Sequence, residues 1–164
     1  MRNIFFMMML VVALMIGACT AGRKSVVSPV GLVPLENYYV PLNNGMDTGY
    51  SYKVISSQSE FDKIVRMGTA VGNEIRKPDF SGQTVVAVIH NTGPNRRKDI
   101  VMDGAAIGGS QMNVYYHIKG TLVSTVTTSS PGLGLATVPK ASSVKQVSFY
   151  EDSVLVKTVP VTIY

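Results

Sequence analysis

Hydrophobic positions fall into distinct patterns along the chain. Ile4 to Ile16 is an unbroken apolar run of 13 residues behind Arg2. Residues 20–48 carry Pro29, Pro34 and Pro41 among Val, Leu, Tyr and Asn, which favours extended backbone. Tyr50 to Ile55 opens with aromatic and polar residues in alternation, the period of a strand. Ser57-Gln58-Ser59-Glu60 has capping-box spacing. Phe61, Ile64, Val65 and Gly68 then fall at i, i+3, i+4 and i+7, predicting one apolar stripe on a helix of about three turns. Asp62 and Arg66 form an i, i+4 pair on its outer side. Residues 68–83 are Gly- and Pro-punctuated and read as a loop.

From Thr84 the pattern turns to strands. Thr84–Ile89 is nearly all apolar and β-prone, as expected for a strand buried on both faces. Further strands are predicted at Ile100–Ile107, Met112–Ile118, Leu122–Thr128, Val144–Tyr150 and Val154–Val159, the last two as half-buried strands. Gly108-Gly109, Lys119-Gly120 and Glu151-Asp152-Ser153 are the expected turns. One helix cannot supply the crossovers of a parallel sheet this size. The fold class is therefore α+β and mostly β: an antiparallel sheet, or partly open barrel, of about six to seven strands with one covering helix.

Composition narrows the class. The chain has 164 residues, 46% hydrophobic and 15% charged, with a formal net charge of +5. Disorder of the whole chain needs low hydrophobicity and high charge, and is excluded. The single Cys excludes a disulfide framework and multi-Cys metal sites, and two His distant in sequence argue against a zinc site. That Cys carries the clearest signal. Arg2, the apolar run and Gly17-Ala18-Cys19 follow the order of an export signal. The run is too short for a spanning helix, which needs about 20 apolar residues. Ile16-Gly17-Ala18-Cys19 resembles the lipobox of bacterial lipoproteins: an aliphatic residue, two small ones, then Cys. The resemblance implies cleavage after Ala18 and a covalent lipid on Cys19. The alternatives are an anchor helix or a plain secretory signal with an incidental Cys. The expected organisation is signal peptide 1–18, tether or extended arm 19–48, and one β-rich domain over 49–164. Thr20 to Ser25 is small and basic, with no acidic cluster after the Cys. This favours an outer-membrane lipoprotein facing the periplasm over a surface-exposed one.

Catalytic chemistry is hard to place. The Asp and Glu residues are scattered, with no spacing that suggests an acid/base pair. His90 and His117 stand near strand ends without a visible partner. Gly104–Gly109 looks superficially like a phosphate loop but lacks the Lys-Ser/Thr and the helix, and reads as a turn. No cofactor is expected beyond the lipid on Cys19, no metal, no nucleic acid and no enzymatic activity. Arg96, Arg97 and Lys98 form the basic cluster, expected on an exposed loop. Ser129 to Leu135 reads as a long exposed loop with an apolar tip. It offers Pro131, Leu133 and Leu135 to a protein partner, or folds them back as a lid.

Several short elements resemble a family. Ser57–Val65, Pro78-Asp79-Phe80-Ser81 leading into Thr84–Val88, Thr128-Ser129-Ser130-Pro131 and Val138-Pro139-Lys140 are similar to the C-terminal domain of the PrcB protease-complex lipoproteins. The similarity covers residues 50–145, with Gly93-Pro94-Asn95-Arg96 where a Gly-Gly-Tyr element stands in the family. It implies a lipid-anchored accessory protein that binds and stabilises or regulates a secreted protease. A protease inhibitor acting through loops 92–98 and 129–139, and a structural or ligand-binding envelope lipoprotein, are the other readings.

Overall fold

The computed structural model describes residues 27–42, 45–68, 75–91, 97–122 and 130–161. Cys19, Arg96 and the strand expected beyond Leu122 lie outside them. Three short strands come first: β1 (Ser28–Val30), β2 (Val33–Pro34) and β3 (Tyr38–Tyr39). Then follow β4 (Gly49–Ile55), α1 (Gln58–Ile64), β5 (Arg66–Met67), β6 (Gln83–Asn91), β7 (Arg97–Gly108), β8 (Gln111–Leu122), β9 (Gly132–Pro139), β10 (Gln146–Glu151) and β11 (Val154–Pro160). They form a sheet ordered β1-β7-β8-β10-β11, a second ordered β2-β9-β6-β4, and a small β3-β5 ribbon. No helix among the described residues is long and apolar enough to cross a membrane.

Among the described residues the fold is mostly β with one covering helix, as the residue pattern implies, and the sheets do not close into a barrel. Its sheets lie face to face. One pair departs from the antiparallel expectation: β10 runs parallel to β8, Gln146 opposite Gln111 through Glu151 opposite Tyr116. Among the described residues, the crossover between them is a strand. After β8 the chain enters the second sheet as β9 and returns to the first as β10, so no helical connection is required.

β6 is the common wall of two cores. Val86 and Val88 face the first sheet, packing with Met102, Val114, Tyr116 and Phe149. Val85, Ala87 and Ile89 face the other way, toward Phe61 and Val65, with Leu35, Tyr38 and Val40 of the N-terminal arm. An apolar run is what a strand with two buried faces requires. Each fully buried Val or Ile side chain contributes about 1.5–3 kcal/mol. The arm is integral to this arrangement: β1 extends one sheet, β2 extends the other, and Leu35 N–H donates to the Leu135 carbonyl at 2.9 Å.

Helix α1 starts where its cap residue predicts. Ser57 Oγ accepts from Glu60 N–H, while Glu60 reaches back to Ser56 N–H. It is shorter than expected. Val65 is already extended, so Gly68 lies past the helix and donates its N–H to the Asn37 carbonyl at 2.7 Å. Asp62 and Arg66 do not form the expected ion pair. The Arg66 guanidinium caps the helix end on the Asp62 and Val65 carbonyls, and the Asp62 carboxylate accepts from Gln58.

Three expected turns meet different fates. Glu151-Asp152-Ser153 does turn, with φ of 47° and 69° at Asp152 and Ser153, the left-handed pair a tight hairpin needs. Gly104 to Gly108 belongs to β7, and the chain reverses at Gly109, φ 62°. Lys119-Gly120 is no turn. Asp99 pairs with Gly120 and Ile100 with Ile118, so Lys119 is an extra residue, a bulge inside a long hairpin.

Candidate functional site

Two segments distant in sequence meet at one end of the sandwich. Arg97 and Lys98 open β7, and Pro131 precedes β9. Gly132 pairs with His90 of β6 and presses on β7: a Cβ there would sit 2.6 Å from the Lys98 carbonyl oxygen. The exposed loop expected over 129–139 is, from Gly132 on, a strand of the second sheet. Pro131 is buried, and Leu135 is 3% exposed in the core shared with the helix. Leu133 is half-buried against the same core. Alternation explains the correction. Gly132, Gly134, Ala136 and Val138 are small or apolar toward the first sheet, while Leu133, Leu135 and Thr137 point the other way. The apolar residues taken for a loop tip are the two-faced pattern of a buried strand.

His90 stands at this end, 7% exposed, against the ring of Tyr50 at a centroid distance of 4.2 Å. Its Nδ1 is buried and has no hydrogen-bond partner among the described residues, and neither has Arg97 Nε. Burial holds the imidazole below its ordinary pKa, and the Lys98 ammonium adds to the shift against the pull of Glu151.

Tyr50 and Tyr52 share a face of β4, rings 6.2 Å apart. Beneath them Tyr116 Oη donates to Glu151 Oε2 at 2.9 Å, and Tyr52 Oη lies 3.0 Å from Tyr116 Oη. Tyr116 has one hydroxyl hydrogen, given to Glu151, so Tyr52 donates to Tyr116. Burial, with the hydrogen bonds to Tyr52 and Glu151, pushes the Tyr116 phenol far above the tyrosine range. Burial also raises Tyr50 and Tyr52. The chain of phenols keeps its protons and ties β4 of one sheet to β8 and β10 of the other.

Glu151 pairs in the ladder with Val154, the first residue of β11. Val154, Leu155 and Val156 are 65%, 52% and 40% exposed. The half-buried strand expected at Val154–Val159 is therefore exposed from Val154 through Thr158, with Val159 alone half-buried, because β11 is the outermost strand of its sheet. Val156 has no opposite number, since Phe149 pairs with Lys157 and Tyr150 with Leu155. This bulge, Lys157 and Pro160 discourage addition of a further strand. What remains is a hairpin tip offering side chains. The sequence does show it, as three consecutive apolar residues after a turn where alternation would be expected.

His117 also departs from the expected position. It lies within β8, and its Nδ1 is 2.8 Å from Asp103 Oδ1. The partner exists because Asp103 is itself a bulge: Met102 pairs with Tyr116 and Gly104 with Tyr115. The described residues contain no group of three or more His, Cys, Asp or Glu able to hold a metal ion. The chain matches no family model, no curated protein and no solved structure. The arrangement offers an aromatic and aliphatic surface with a basic border at Arg97 and Lys98, suited to gripping another macromolecule by burial and hydrogen bonds.

Proposed function

We propose that this chain is a lipid-anchored accessory protein of the bacterial cell envelope. It is held to the membrane through Cys19 and binds a partner protein at the β10–β11 hairpin tip beside Tyr50. The single observation that carries the reading is Val154-Leu155-Val156, three consecutive large apolar side chains left in water on an outermost strand. Their burial in an interface would gain about 25 cal/mol per Å². The partner is a secreted protease, as the resemblance of residues 50–145 to the PrcB lipoproteins suggests, and the role is to stabilise or regulate it. Inhibition by insertion of 129–139 is less well supported, since Gly132 to Pro139 is a core strand.

The test is crosslinking from native membranes with a photoreactive residue in place of Leu155. The expected result is one discrete adduct with a protein that cleaves protein substrates. Val154→Lys with Val156→Lys should weaken it at least about tenfold, the loss of a hot-spot pair, with an unchanged Tm. Undiminished crosslinking in that double variant overturns the surface, and a partner without proteolytic activity overturns the partner class. Cys19→Ala should release the protein from membranes. Its retention there overturns the anchor.

A further inference from the structure

At the far end of the sandwich from Tyr50 and His90, the ends of β4, β9 and β11 leave a cleft of about 420 Å³. That volume lies in the range of small-molecule sites, about 300–1,000 Å³. Hydroxyls dominate its polar wall. Ser57 Oγ accepts from Glu60 N–H and Ser81 Oγ donates to Asp79. The hydroxyls of Ser56, Thr84 and Ser142, all lining the cleft, meet no hydrogen-bonding group among the described residues.

Charge is equally selective. Lys140 is the one charged residue in the lining. The described residues give it no ion pair. Two carboxylates stand nearby, outside the lining, and both are engaged. Glu60 accepts from Ser56 N–H at 3.3 Å. Asp79 accepts from Ser81 N–H at 3.0 Å and from Ser81 Oγ, and these bonds hold its carboxyl below the usual range. Asp79 therefore stays anionic beside the cleft and disfavours any ligand carrying more than one negative charge. Ala141, Val144 and Val161 supply an apolar floor.

We propose that this cleft binds a small organic monocarboxylate with a short aliphatic body. The carboxylate lies between Lys140 and the hydroxyls of Thr84 and Ser142, and the chain rests on Val144 and Val161. Charge-assisted bonds are the strong ones. A single ammonium matches a single negative charge, whereas a dianion would leave one charge uncompensated. The site is independent of the hairpin tip, at the opposite end of both sheets, so each can fail without the other.

The test is titration of the isotope-labelled protein with butyrate, acetate, inorganic phosphate and neutral butanol, followed by amide chemical shifts. Butyrate should give saturable shifts confined to residues around Thr84, Lys140 and Ser142. Acetate should bind more weakly for want of the aliphatic contact, and butanol and phosphate more weakly still. Lys140→Met should weaken butyrate about tenfold, and Lys140→Arg should retain it. Shifts that do not saturate, equal binding of butanol, or butyrate binding undisturbed in Lys140→Met overturn the proposal. Tighter binding of phosphate than of butyrate overturns the monocarboxylate class.

Discussion

At Gly134 a single hydrogen atom sets how closely two sheets approach. A Cβ there would lie 2.6 Å from Ile100 Cγ2 and 3.0 Å from Met102 Sδ. Both are side-chain atoms in the first core, able to yield in part, so Gly134→Ala should cost about 1–3 kcal/mol by overpacking. Thermal denaturation measures it, and an unchanged Tm would mean the sheets separate freely. His90 gives the pH dependence. Its folded pKa is depressed by burial and by Lys98, so the folded state resists protonation while the unfolded chain takes up a proton near pH 6.5. The unfolded state thus binds more protons below that pH, and stability falls as pH drops from about 7 toward 5. His90→Phe should flatten that part of the Tm–pH curve. An identical slope in the variant would show that other groups carry it.

Elements written in local sequence signals are the legible ones. Ser57 caps α1 as the Ser-x-x-Glu spacing implies, and Ser57→Ala should cost about 1 kcal/mol in chemical denaturation. The apolar run of β6 announces two buried faces, and Glu151-Asp152-Ser153 announces a hairpin. What local signals do not hold is pairing. Lys119-Gly120 looks like a turn, yet the β7 strand opposite it continues, so the extra residue is absorbed as a bulge. Asp103 meets His117 through a second bulge, which no spacing rule reveals. Pro131 to Leu135 has a loop's composition. Its glycines are there because β7 presses on β9, a fact about a neighbour some thirty residues earlier in the chain. The candidate site was legible in the same uneven way. Arg97, Lys98 and Pro131 do converge, whereas Leu133 and Leu135 serve the core, and the exposed Val154–Val156 tip depends on which strand ends the sheet.

At the scale of the molecule, β6 contributes to both cores, and the segment from Val27 to Leu42 closes both. A tether could lose its apolar side chains without consequence. Leu35 is buried in the core against α1, so Leu35→Ala should cost about 2 kcal/mol or more. It should lower the midpoint of one unfolding transition followed by both tyrosine fluorescence and circular dichroism. Two separated transitions, or none moved, would show that the arm is only laid on the surface.

The same arm decides how the body bears tension. β1 lies antiparallel along β7, with Ser28, Pro29 and Val30 opposite Ile107, Ala106 and Ala105. A tug applied at Ser28 and directed along that strand's own axis meets this ladder first. The ladder is then loaded in shear, its rungs straining together instead of parting one by one. An end loaded in this way yields only when those rungs give together.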